Sequence, residues 1–144
     1  MADNTNTVLT GRCYCGAITF TATQKPQVVA YCHCESCRRA TGGVAAAFAA
    51  MDEEAVVFKP NEGRIVSLTP EVSRKFCADC GSSLTGRYAY LPGQVYLSVG
   101  VIDQAADLAP QIHAHDAERL PWLHIDDLER LAATARSKIN SSPK

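Results

Sequence analysis

The sequence predicts a single, mainly β domain. Three observations carry that expectation: short runs of alternating apolar residues recur, Pro, Gly, Asn and Asp punctuate them, and 144 residues make one domain's worth of chain. Residues 16–23 read Gly-Ala-Ile-Thr-Phe-Thr-Ala-Thr, in which Ile18, Phe20 and Ala22 alternate with polar threonines as on a half-buried strand. Similar runs follow at 28–32, 55–59, 64–68, 73–77, 84–90 and 94–102, and such spacing indicates antiparallel sheets. Residues 44–51 are alanine-rich, which favours a helix, but the run is short and flanked by Gly42 and Gly43, and strand is the preferred reading.

A helical turn is expected at 36–40. A short C-terminal helix is expected where Asp126 or Asp127 can cap and Leu128, Leu131, Ala132 and Ala135 share a face. The domain core is expected at about 8–135, with flexible tails at 1–7 and 140–144. No repeat, low-complexity segment or linker divides the chain.

Lys and Arg number 14 against 15 Asp and Glu, so charge gives no reason to expect nucleic acid or an anionic membrane as partner. The first residues lack the basic start and apolar run of a secretory signal, and no stretch approaches the length of a membrane span. The expected location is the cytoplasm, where thiols stay reduced and close-set cysteines are read as metal-binding or catalytic before they are read as disulfides. The oligomeric state is left open.

Seven cysteines fall in three clusters: Cys13 and Cys15, then Cys32, Cys34 and Cys37, then Cys77 and Cys80. Seven is odd, and a C-x-C pair has awkward geometry for an internal bridge. Four thiolates closing on one ion need two pairs of neighbouring sulfurs, and the outer clusters supply them, giving a structural zinc at Cys13, Cys15, Cys77 and Cys80. Residues two apart on a strand share a face but need a turn or bulge to bring both sulfurs to one ion, which predicts one at Tyr14. No spacing matches an iron-sulfur signature, so zinc is favoured. Two zinc ions on seven thiolates would move the formal charge from -1 to about -4.

The middle cluster supplies three ligands, Cys32, Cys34 and Cys37, from six residues. A distant His113 or His115 could complete this site; alternatively the fourth position is open and the zinc is catalytic. Three thiolates blunt the acidity of the metal towards water, whereas zinc with soft ligands is suited to holding a further sulfur, lowering its pKa and presenting it as a nucleophile. The expected chemistry is carbon-sulfur bond making or breaking.

Around this site, Arg38 and Arg39 are candidates to pair with substrate carboxylates or to offset thiolate charge, and His113 to contact substrate or stand behind the metal, although a satisfied histidine on a strand is the commoner outcome. His33 is expected to face solvent, Trp122 to be a core or lid aromatic, and none of Glu35, Asp79 and Asp103 is marked as a general base.

Gly11-Arg-Cys13-Tyr-Cys15-Gly16, Cys32-His-Cys34-Glu-Ser-Cys37-Arg-Arg-Ala-Thr-Gly42 and Phe76-Cys77-Ala-Asp-Cys80-Gly81-Ser82 resemble the glutathione-dependent formaldehyde-activating (GFA) family, related to centromere protein V. Val99 to Asp103 and the 110–122 segment with His113, Pro121 and Trp122 extend the resemblance over most of the chain. It implies a β-tent fold of antiparallel sheets, a structural zinc at Cys13, Cys15, Cys77 and Cys80, and a catalytic zinc at Cys32, Cys34 and Cys37. It also implies a carbon-sulfur lyase, an S-(hydroxymethyl)glutathione synthase, with glutathione as co-substrate and formaldehyde or another small aldehyde as partner. The alternative is a non-catalytic zinc module that binds glutathione or a protein.

Overall fold

The computed structural model describes residues 6–125 and 128–139. A three-stranded antiparallel sheet has the order β1 (Leu9–Arg12), β2 (Thr19–Ala22), β5 (Val56–Lys59). An eight-stranded sheet contains β3 (Val28–Cys32), β4 (Ala46–Asp52), β6 (Arg64–Thr69), β7 (Val72–Phe76), β8 (Ser83–Tyr88), β9 (Gln94–Ser98), β10 (Ile112–Ala114) and β11 (Glu129–Arg130). Its order is β11-β10-β3-β4-β9-β8-β7-β6. Among the described residues one α-helix, α1 (Glu35–Thr41), is present, and it follows β3.

Alternation along the central strands divides the large sheet into two apolar faces. Val29, Ala49, Met51, Val95 and Leu97 pack against Leu9, Phe20 and Ala22 of the small sheet. On the other face Val28, Ala30, Cys32, Phe48, Ala50 and Tyr96 are covered by Leu91, Ala135 and Ile139. A third cluster, Cys13, Ile18, Cys77 and Leu84, fills the end where the two sheets meet.

The mainly β reading holds, and most of the 44–51 segment is strand, within β4 from Ala46, but two expectations need correcting. The sheets are not wholly antiparallel, because β10 runs parallel to both β3 and β11. The expected C-terminal helix does not form over Leu128 to Ala135; the capping Asp126 and Asp127 lie outside the described residues, as do 1–5 and 140–144 of the expected tails. In that segment the backbone is spent on β10 and its extension instead: Leu131 N donates to His113 O at 2.8 Å and His115 N to Ala133 O at 2.7 Å. Edge pairing and burial of Ala135 and Ile139 outweigh the helical propensity of two alanines. The 94–102 run ends its strand at Ser98 and turns through a 3-10 segment at Val99–Val101. β1 and β10 were not expected, being short and carrying little alternation.

Candidate metal centres and active site

The first cysteine group joins the two sheets. Cys13 and Cys15 lie between β1 and β2, and Cys77 and Cys80 lie between β7 and β8. The chain turns at Tyr14 as the C-x-C spacing requires, with Gly16 N donating to Cys13 O at 3.1 Å. Gly81 N closes the matching turn on Cys77 O at 2.7 Å. Gly16 and Gly81 sit at φ 83° and 81°, a left-handed conformation that favours glycine. Tyr14 N donates to Ser82 Oγ at 2.7 Å, which ties the two turns together.

The four sulfurs lie within 4.8 Å of one another, with Cys13 to Cys15 at 3.7 Å and Cys15 to Cys77 at 3.9 Å. A tetrahedral ion with bonds of about 2.3 Å separates its sulfurs by about 3.8 Å, so the residues fit zinc. Ile18 N donates to Cys13 Sγ at 3.3 Å. The Ser82 hydroxyl, then its backbone N–H, hold Cys80 down to about 6, which favours the thiolate.

The second group is local. Cys32 ends β3, Cys34 caps α1, and Cys37 lies on its first turn. The helix forms here because the Cys34 sulfur accepts Cys37 N at 3.2 Å, Arg39 pairs with Glu35 one turn away, and Gly42 N returns to Arg38 O at 2.7 Å. Cys32 to Cys34 is 3.6 Å and Cys37 to Cys32 is 3.3 Å. These three converging soft donors also fit zinc. Contacts from Cys32 and Cys34, then the Arg74 charge, pull Cys37 down to about 3, while sharing with Cys34 and Cys37 pushes Cys32 far above the ordinary thiol range. Among the described residues no histidine or carboxylate joins these sulfurs in a ligand group, although His115 stands on the same cavity.

That cavity has a volume of about 190 Å³ and is walled by the three sulfurs, Arg74, Tyr88, Tyr90, Tyr96, His115 and Thr134, among others. Strand register explains the wall: Arg74 of β7 is opposite Gly86 of β8, Gly86 is opposite Tyr96 of β9, and Tyr88 follows on the same face two residues on. Arg74 donates to Tyr88 Oη at 3.2 Å, to Ser36 Oγ at 3.0 Å and to Cys37 Sγ at 3.7 Å. Burial first, then the negative sulfur of Cys37, raises the Tyr88 pKa, so its hydroxyl stays protonated. A second groove, about 490 Å³, shares Ser36, Val72 and Arg74 with this cavity and continues along Arg39, Val66 and Leu68.

The residues singled out from sequence are placed unevenly. Arg39 is exposed and lines the second groove, while Arg38 donates to His33 O at 3.4 Å. His113 is fully buried on the face opposite Cys32, because its neighbour Ala114 is the residue that pairs with Cys32. His33 corrects the solvent-facing expectation: it is also fully buried, and its Nε2 meets His113 Nδ1 at 2.7 Å. His113 stacks on both His33 and Tyr31, and the histidine pair ties the cysteine loop to β10. Trp122 is 61% exposed and no core residue. Arg74, Tyr88, Tyr90 and Tyr96 were missed; their only sequence signal is strand alternation, and they reach the cysteines only through cross-strand register.

A family model described as glutathione-dependent formaldehyde-activating enzyme matches residues 8–118, which include all seven cysteines. No curated relative matches the chain. Among solved structures, the crystal structure of a Rhodobacter sphaeroides protein, a structural genomics target, is similar with a TM-score of 0.53. It is 18% identical over 65% of this chain and 87% of that one, so the likeness bears on the fold alone.

Proposed function

The chain belongs to the glutathione-dependent formaldehyde-activating enzyme family, and on that premise we propose that it adds a low-molecular-weight thiol such as glutathione to formaldehyde or another small aldehyde. One observation carries the reading: three sulfurs, Cys32, Cys34 and Cys37, converge on a walled cavity to which no fourth protein ligand is added among the described residues. Cys13, Cys15, Cys77 and Cys80 would hold a structural zinc. Cys32, Cys34 and Cys37 would hold a second zinc ion that, when bound, would lower the pKa of an added thiol and keep it nucleophilic near neutral pH.

The remaining work belongs to the chain. The cavity is below the 300–1,000 Å³ or so of a drug-sized ligand site, so it admits a thiol's CH2-SH end and a one- or two-carbon aldehyde rather than a whole tripeptide. The rest of the thiol extends into the adjoining groove, lined by the Arg39–Glu35 ion pair and by an apolar wall of Val66 and Leu68. Arg38 holds the loop through the His33 carbonyl, and His113 supports it from the far face, so both act behind the site. The setting we propose is a reducing cytoplasm; the described residues contain no helix long and apolar enough to cross a membrane.

The test is the rate at which glutathione and formaldehyde exchange with their adduct, measured by NMR exchange spectroscopy above the spontaneous rate. Acceleration by the unmodified protein that disappears in Cys34→Ser supports the reading. Binding of glutathione without acceleration would favour the non-catalytic module.

A further inference from the structure

Arg74 and Tyr88 form a hydrogen-bonded pair in the cavity wall beside Tyr90 and Tyr96, and the sequence motifs give them no role. Both reach the same ligand sulfur: Arg74 Nη2 is 3.7 Å and Tyr88 Oη 3.9 Å from Cys37 Sγ. Arg74 Nη1 supplies a donor to Tyr88 Oη at 3.2 Å, and the guanidinium carbon lies 5.6 Å from the Tyr88 ring centre. With its oxygen already accepting from Arg74, the Tyr88 hydroxyl has its own hydrogen free to donate. At 3.9 Å its contact with Cys37 is long, so that hydrogen can turn to a better acceptor entering the cavity.

The backbone makes room for the pair. Gly86 lies between Arg74 and Tyr96 in the sheet, and a Cβ built on it would stand 2.8 Å from Tyr88 Oη and 3.5 Å from Arg74 Nη1. Any larger residue would displace the hydroxyl. Strand interiors disfavour glycine, so its presence here marks a close approach that the wall requires.

We propose that Arg74 and Tyr88, seated on Gly86, receive the carbonyl oxygen of the aldehyde and stabilise the negative charge it gains as the thiol sulfur attacks. This rests on the thiol-addition reading above. In the step, a sulfur lone pair forms the carbon-sulfur bond and the carbonyl π pair moves onto oxygen. That oxygen takes a proton from water, replacing the proton the thiol released to solvent, so no oxidant, reductant or further reactant is required. Arg74 contributes a permanent charge and Tyr88 a hydrogen bond that strengthens as the oxygen becomes anionic. A neutral donor and a cation beside a low-dielectric aromatic wall act on the transition state more than on bound thiol.

Two measurements test this, one of turnover and one of binding. In Tyr88→Phe, Arg74→Gln and Gly86→Ala, kcat for adduct formation is expected to fall roughly 10- to 1,000-fold, while the dissociation constant for glutathione by titration calorimetry stays within about threefold. For binding, 2-mercaptoacetate carries anionic oxygens one atom beyond the adduct oxygen and is compared with ethanethiol. The unmodified protein should prefer mercaptoacetate, and the three variants should lose that preference.

Wild-type kcat in Tyr88→Phe and Arg74→Gln would overturn the inference. So would equal losses of kcat and glutathione affinity in Arg74→Gln, which would make Arg74 a clamp for the thiol's carboxylate. Absence of acceleration by the unmodified protein would overturn the thiol-addition reading and this step with it, and it is recognised before any variant is made. Tyr88→Phe removes only the hydroxyl and keeps the ring, and Arg74→Lys, which keeps charge but loses the fork, should restore part of kcat; together they separate chemistry from misfolding.

Discussion

The two cysteine groups use the same donor atom and nearly the same sulfur spacing, yet they differ in what the chain invests in them. Cys13 and Cys15 meet Cys77 and Cys80 across more than 60 residues and two sheets, as the 62-residue separation of Cys15 and Cys77 illustrates. Cys32, Cys34 and Cys37 come from a single strand-to-helix loop. Cross-linking distant segments restricts the unfolded chain, whereas clipping six neighbouring residues restricts it little. On the proposed reading, a metal in the first group would serve folding and one in the second would be free to serve chemistry, a division that follows placement in the chain and not ligand type.

The widest separation between the groups is expected from breaking each in turn. Cys77→Ala removes a ligand and leaves Cys80 as the one sulfur reaching Cys13 and Cys15 across the sheet junction; structural zinc contributes on the order of 10 kcal/mol, comparable to a whole domain's stability of about 5–15 kcal/mol. Circular dichroism of that variant is expected to show an unfolded chain at 25 °C. A folded Cys77→Ala protein would erase the distinction. Leu84, fully buried beside Cys13 and Cys77, is the next lever, and Leu84→Ala should cost about 2–5 kcal/mol in urea unfolding.

Cys34→Ser should instead change stability by no more than about 1 kcal/mol, a few degrees in Tm, while the metal content falls by about one equivalent and adduct turnover is lost. The smallest effect lies between the two groups. Glu62 braces β7 and β8 through Arg87, Thr85 and Lys75, and these strands carry Cys77 at one end and Arg74 and Tyr88 further along. Burial would raise its pKa, but the Arg87 hydrogen bonds outweigh it and hold Glu62 below its ordinary 4.5. A depressed folded-state value contributes stability that is present above pH 4.5 and lost as pH falls through the lowered value. Glu62→Gln should therefore cost about 1 kcal/mol at pH 7 and flatten the fall in stability as pH drops below 4.5.

The grouping of the cysteines into four and three was legible in the sequence because metal ligation depends on short-range spacing. The C-x-C, C-x-C-x-x-C and C-x-x-C patterns divide into four and three before any fold is known, and the turn at Tyr14 follows from strand geometry alone. Strands 28–32 and 56–59 were readable because alternation or continuous burial marks them. The C-terminal segment was not: Leu131 and Ala135 have helical spacing, but the backbone joins β10, a partner more than a dozen residues away. Arg74 and Tyr88 were illegible for the same reason. Their meeting depends on the register Arg74 to Gly86, and nothing local in 72–76 or 83–88 announces it. His33 misled because flanking a ligand says nothing about which side of a strand end the ring will take.

The contrast between a closed and an open group is tested most directly by zinc X-ray absorption on the purified protein with and without saturating glutathione. The expected result is a mean sulfur coordination of about 3.5 per zinc that rises to about 4 on addition, with the new contact at about 2.3 Å. Identical spectra in the two samples, with four protein ligands already at each zinc, would contradict it.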